Sequence, residues 1–260
     1  MVYTLITGAT GYLGKAFVEL CLRRGENVYI TGRSEDKLRK LRAQMLQAYP
    51  AADIVYFACD LADERSREAM FADAGRYKFS ALINVAGADI QKPFCRYNQQ
   101  KLIFQMRANF EGAVSMCAFC ISHAAEHLKI INISSICGQY DMPYFAIYSA
   151  AKGALTSFSL ALAEELRDSG VDVCVVLPGA IHTRPDVEEY IRTQGLWGKI
   201  AAKTPRFVAL KALEASERGK RMVIIGTANR ALYYLSKFVP ARLMRKMIAI
   251  KWSRTQKDAF

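Results

Sequence analysis

At 260 residues, with 52% apolar and 23% charged side chains, the chain is long enough for one large α/β domain and too apolar for wholesale disorder. Its net charge of +12 suits nucleic acid, an anionic membrane surface or anionic small molecules, and no zinc-finger, RNA-recognition or basic-zipper pattern argues for nucleic acid. No basic leader precedes the first apolar run, no stretch is long and apolar enough to span a bilayer, and the seven cysteines are irregularly spaced, which predicts a reducing, cytoplasmic setting with free thiols.

The first apolar run, residues 2–7, reads as a strand and opens into TGATGYLGKAF and a helix over 14–24. Gly8, Gly11 and Gly14 are spaced for a sharp turn, close backbone approach to a pyrophosphate, and tight packing of helix on strand. The helix N-terminus then offers free N–H groups and a positive dipole end to phosphate. A second strand, 27–31, leads to Arg33, where a dinucleotide-binding chain selective for NAD carries an acidic residue. A guanidinium there grips a 2′-phosphate, so NADP(H) is the expected cofactor.

Helices over 34–47, 63–74, 98–127, 148–168 and 205–218 then alternate with strands over 53–58, 81–85, 129–134, 171–177 and 222–226. Several strands are almost continuously apolar, as strands covered on both faces are. The alternation predicts a Rossmann-type, doubly wound, seven-stranded parallel sheet flanked by helices in a single domain over residues 1–227, followed by a tail over 228–260.

Tyr148 and Lys152 stand four residues apart, on one helix face, where an ammonium can make a phenol more acidic. Tyr97 and Lys101 share that spacing, so the pair alone does not identify a site and its context must.

Taken together, these motifs resemble the short-chain dehydrogenase/reductase superfamily, classical type, almost to the C-terminal tail. The resemblance implies Asp60 and Leu61, in ACDLAD, at the adenine, and Asn84, Ala86 and Gly87, in INVAGA, along the cofactor, with Val85 in place of the family's second Asn. It implies Thr10, Tyr12 and Leu13 of the first turn, and Pro178, Gly179, Ile181 and Thr183 of VLPGAIHT, as further cofactor contacts. It assigns catalysis to Ser135, Tyr148, Lys152 and Asn109, with Ser135 preferred to Ser134 because the family's serine lies 13 residues before its tyrosine. In that scheme Ser135 orients a carbonyl, Tyr148 protonates it, Lys152 acidifies Tyr148 and grips the nicotinamide ribose, and Asn109 holds a water that links Lys152 to solvent. Tyr12 replaces the middle glycine of the classical motif and resembles the extended branch of epimerases and dehydratases; length and the Ser–Tyr register favour the classical branch.

The expected activity is NADP(H)-dependent hydride transfer between nicotinamide and a carbonyl or secondary alcohol, with a hydrophobic ketone (steroid, 3-oxoacyl or similar) as substrate. A non-catalytic NADPH-binding sensor or scaffold and an extended-type epimerase or dehydratase are the alternatives.

Three further stretches bear on function. Cys117, Cys120, His123 and His127 are spaced like zinc ligands, but on one helix the outer two lie about 15 Å apart at 1.5 Å per residue, too far for one ion, so no metal is expected. Residues 183–204, with Gly195 and Gly198 around Trp197, read as a substrate lid. The basic amphipathic tail over 229–254 suits either an anionic membrane surface or a neighbouring subunit of a homodimer or homotetramer.

Overall fold

The structure, a computed structural model, describes residues 1–183, 187, 189, 191–192 and 200–253. Seven strands form one parallel sheet: β1 (Val2–Ile6), β2 (Val28–Gly32), β3 (Ile54–Ala58), β4 (Lys78–Asn84), β5 (Ala124–Ile133), β6 (Val171–Leu177) and β7 (Met222–Ile224), in the order β3-β2-β1-β4-β5-β6-β7. The helices whose full span is described are α1 (Tyr12–Arg23), α2 (Glu35–Ala48), α3 (Glu64–Ala74), α4 (Gln99–Met106), α5 (Gly112–Ser122), α6 (Ala146–Glu165), α7 (Pro205–Glu217), α8 (Thr227–Ser236) and α9 (Ala241–Trp252).

Successive strand residues feed opposite faces of the sheet. Ile6, Ile30, Ile131 and Val176 pack with Phe17, Leu38 and Val208 of α1, α2 and α7. Leu5, Tyr29, Leu82 and Ile130 pack with Met70, Met116 and Ala163 of α3, α5 and α6. Each such side chain, fully buried, contributes about 1.5–3 kcal/mol. The strand order reverses between β1 and β4, which opens a crevice beyond the carboxyl ends of the strands.

Helix starts follow local chemistry. Ser34, Asp63, Asn98 and Thr204 each accept a hydrogen bond from a backbone N–H in the first turn of α2, α3, α4 and α7, and Pro205 opens α7. In contrast, α1 starts from Gly11 with no side-chain cap.

The helix expected over 98–127 is shorter and interrupted. It runs as α4, one π turn at Arg107–Glu111, and α5, which ends at Ser122. Residues 124–127 instead begin β5, because Phe79 at the start of β4 offers a backbone partner: its N–H donates to the His123 carbonyl at 3.0 Å, and it pairs with Ala124. His123 therefore caps the helix and stacks on Phe119, while exposed His127 sits on a strand. Cys117 and Cys120 are buried, and no metal-ligand cluster exists among the described residues.

Gly195, Trp197 and Gly198 of the expected lid lie outside the described residues. The ends of that stretch are tied together: His182 N–H donates to the Lys203 carbonyl at 2.9 Å, and Lys203 N–H to that of Ala180 at 3.0 Å.

The tail folds back on its own chain. In α9, Met244, Ile248 and Trp252 are partly buried, whereas Leu243, Met247 and Ile250 are exposed. Among the described residues no helix is long and apolar enough to cross a membrane.

Candidate active site

The glycine turn is compressed from three sides. Gly8 has φ +62°, and a Cβ there would lie 2.9 Å from Ala86 backbone atoms; one on Gly14 would lie 2.2 Å from the Gly8 carbonyl oxygen. Thr7 fastens the turn to the loop after β4, its hydroxyl accepting from the N–H groups of Val85 and Ala86 at 3.0 and 3.2 Å. Thr10 lies beside Gly32, Leu13 is buried, and the Tyr12 ring is exposed at the first residue of α1. With no side-chain cap, the first N–H groups of α1 are left for an anion, as a pyrophosphate requires.

Arg33, exposed just past β2, holds its guanidinium 5.5 Å from the Phe104 ring centroid. Phe104 shares a surface cleft with Asp60, Ala62, Ile103 and Arg107. Asp60 accepts from the Ala62 N–H at 3.0 Å, which folds the loop after β3. Leu61 is buried, and Gly112 lies so close that a Cβ there would sit 2.9 Å from Leu61. Sequence patterns do not reveal Arg67. Buried, it donates to the Leu61 carbonyl and to Glu111, both at 2.6 Å, and so ties this loop to the π turn.

Asn109 sits on that π turn, fully buried. Its amide donates to the carbonyls of Ala88 and Gln105 at 2.8 Å each and accepts from the Ala88 N–H at 3.1 Å. A Cβ on Gly87 would lie 2.7 Å from Asn109 Oδ1 and 3.4 Å from Lys152 Nζ, so the glycine permits three elements to meet. The Asn84 side chain instead points into the body: it donates to Asn132 at 2.9 Å and to the Ala113 carbonyl at 3.2 Å, and so positions the strand end that precedes Ala86 and Gly87.

Ser135, buried just past β5, caps the short turn at Ile136–Gln139 by accepting from the Cys137 N–H at 3.2 Å. Tyr148 stands in the first turn of α6. Ser134, the alternative, turns away to the Lys152 carbonyl (2.7 Å) and Thr156 (2.8 Å). Lys152 is buried, and its ammonium donates to the Ile133 carbonyl at 2.8 Å. Tyr97 lies elsewhere, its hydroxyl donating to the Ile90 carbonyl at 2.8 Å.

The electrostatics differ from the expectation that Lys152 acidifies Tyr148. Burial pushes the Tyr148 phenol up, helped by Cys137 and Asp89 and opposed by Ser135. Burial pushes Lys152 down to about 8, opposed by Asp89. The reason is desolvation: in so enclosed a place the uncharged form of each is favoured, and the ammonium is directed at a backbone carbonyl. Asp89, just beyond the Ala86–Gly87 turn, acts by charge on both groups, and motif reading does not single it out.

Beyond β6, the Pro178 carbonyl accepts from the Ile136 N–H at 3.0 Å, which joins this turn to the serine turn. A Cβ on Gly179 would lie 2.6 Å from Asn229 of α8, a buried residue that donates to the carbonyls of Ala201 (3.1 Å) and Ile225 (2.8 Å). Ile181 pairs with Lys203, and Thr183 donates to the Ile181 carbonyl at 3.2 Å.

The mouth is aromatic. Phe145 stacks on Tyr148 with centroids 4.3 Å apart, and Trp252 of α9 stacks on Phe145 at 5.5 Å. Tyr144 holds φ +64°, a strained value for a bulky residue. Ser236 of α8 donates to the Tyr140 hydroxyl at 3.2 Å, and Arg245 of α9 pairs with Asp141 at 2.9 Å.

Comparison with known proteins matches residues 3–193 to a family model described as short chain dehydrogenase. The chain is 32% identical over 182 residues to a 3-ketodihydrosphingosine reductase of Bacteroides thetaiotaomicron, an alignment covering 69% of this chain and 64% of that protein, less than two thirds of its length. It is 26% identical over 250 residues to a dehydrogenase/reductase SDR family protein 7-like of Anopheles gambiae, covering 91% of this chain and 79% of that one. A solved structure from work on 7beta-hydroxysteroid dehydrogenase shares the fold, with TM-score 0.84 at 24% identity over 95% of this chain and 96% of the other.

Proposed function

The chain belongs to the short chain dehydrogenase family, oxidoreductases that bind a nicotinamide cofactor, and on that premise we propose that it is an NADP(H)-dependent reductase of a hydrophobic ketone, or the corresponding alcohol dehydrogenase. The observation that supports this reading is that the buried Lys152 ammonium donates to the Ile133 carbonyl at 2.8 Å, at the carboxyl end of β5 two residues before Ser135, with Tyr148 four residues before Lys152 on α6.

The cofactor, when bound, supplies or accepts the hydride. The uncapped start of α1 would hold its pyrophosphate, Arg33 its 2′-phosphate, and Lys152 its nicotinamide ribose. Ser135 orients the carbonyl oxygen by a hydrogen bond. Tyr148, kept protonated by burial, gives its phenolic proton to that oxygen in the reductive direction. Lys152, at about 8, exchanges protons near neutral pH and returns one to the phenolate. Asn109 fixes Gly87 and Ala88 beside Lys152.

The stacked rings of Phe145 and Trp252 beside Tyr148 support an apolar substrate. The bacterial relative's name, a ketone reductase of a sphingoid lipid, points the same way. The full chain with NADPH and a panel of aliphatic and steroidal ketones, followed at the reduced-nicotinamide band, tests the reading. Tyr148→Phe should retain NADPH binding and lose turnover at least ~100-fold; turnover retained in that variant would overturn the assignment.

A further inference from the structure

We propose that the α8–α9 hairpin docks the enzyme on an anionic lipid bilayer and thereby sets the active-site mouth at the membrane surface, where it takes up a ketone dissolved in lipid. The uptake half rests on the function proposed above; the docking half does not.

Charge comes first. Between Glu217 and Asp258 the sequence has no Asp or Glu, while Arg230, Lys237, Arg242, Arg245, Lys246 and Lys251 all lie on the hairpin. The same surface is apolar at its projecting points. Phe238, in the bend between the helices, is 87% exposed and Leu235 66%. On α9, Leu243, Met247 and Ile250 form one stripe on a helix of about 3.6 residues per turn, flanked by Arg242 and Lys246 on one side and Lys251 on the other. Apolar side chains between cations suit the boundary of a bilayer, with the chains in the acyl region and the cations at anionic headgroups. A second copy of this chain is a poor occupant, since a twofold contact between hairpins sets cation against cation.

Placement supplies the link to chemistry. The opposite face of the hairpin holds the mouth: Trp252 stacks on Phe145, which stacks on Tyr148, while Arg245 and Ser236 hold Asp141 and Tyr140. A bilayer against the outer face therefore lies beside the loop that leads to the catalytic helix.

The test is sedimentation of the full-length protein with phosphatidylcholine vesicles, with and without phosphatidylserine, against two variants: Leu235→Ser/Phe238→Ser/Met247→Ser and Arg242→Glu/Lys246→Glu. All five positions are exposed, so the fold is kept. The wild type should pellet with phosphatidylserine vesicles and be released by salt, and each variant should bind about tenfold or more weakly. Wild type left in the supernatant, or variants that pellet equally, would overturn the docking. So would variants that change only the oligomeric mass, since the hairpin would then be a subunit contact. Sedimentation needs no turnover, so it stands apart from the function. For uptake, wild type and variants should reduce a water-soluble ketone at equal rates, and the wild type should reduce a vesicle-dissolved long-chain ketone about tenfold faster; equal rates on both would overturn the uptake half.

Discussion

Gly138 and Gly153 meet backbone to backbone. A Cβ on Gly153 would lie 2.8 Å from the Gly138 carbonyl oxygen, and one on Gly138 would lie 2.6 Å from the Gly153 nitrogen. Their contact seats the turn after Ser135 directly on α6, beside Lys152, and so fixes the distance between serine and catalytic helix.

Gly153→Ala should therefore lower stability by about 1–3 kcal/mol, although alanine is the better helix former by ~1 kcal/mol. Turnover should fall with it, since Ser135 and Tyr148 are pushed apart. Urea denaturation and steady-state kinetics check this, and a more stable variant would show that the close approach is not tight.

Arg33→Asp should raise the KM for NADPH at least ~tenfold more than that for NADH, because a carboxylate repels the 2′-phosphate that a guanidinium grips. Equal changes with both cofactors would remove Arg33 from recognition.

Lys152→Met should separate stability from activity. Lys152 falls from 10.5 to about 8 on folding, so below pH 8 the folded chain carries a buried charge at a cost. Between those values the unfolded chain binds the proton that the folded one has lost, and wild-type stability rises with pH through that window. At pH 7 the variant should be more stable by up to about 3 kcal/mol, less what the Ile133 hydrogen bond contributes. The gap should close toward pH 10.5, and turnover should be lost throughout. Denaturation curves across that range check the sign.

Asp89→Asn should move the pH–rate profile to lower pH, since the carboxylate's charge strengthens proton binding at both Tyr148 and Lys152. Circular dichroism should be unchanged. A shift upward, or none, would take Asp89 out of the site's electrostatics.

Much of this could be read from local pattern. The run from strand through Gly8, Gly11 and Gly14 to helix, and the alternation of apolar strands with helices, give the sheet, because strand and helix periods are local properties. The register of Ser135, Tyr148 and Lys152 is carried by the family resemblance and not by periodicity. What depends on distant segments was not legible. Gly138 and Gly153 look unremarkable until the chain folds one onto the other. Arg67 and Asn229 look like surface residues until burial gives each backbone carbonyls to hold. The early start of β5 is set by Phe79, far back in the chain, and overrides helix propensity at residues 124–127. The electrostatics of Tyr148 and Lys152 also escape motif reading, since spacing reports proximity and not desolvation.

The order of the strands has a consequence for how the chain is made. β1 leaves the ribosome before the other strands of the sheet and can pair with β2, but its neighbour on the other side is β4, which arrives only once residues 78–84 have emerged. Until then a nascent chain carries an open, apolar strand edge, the kind of surface that recruits foreign strands. Slow, non-local assembly follows from that delay, and a chain stalled before Asn84 is the form most in need of a chaperone.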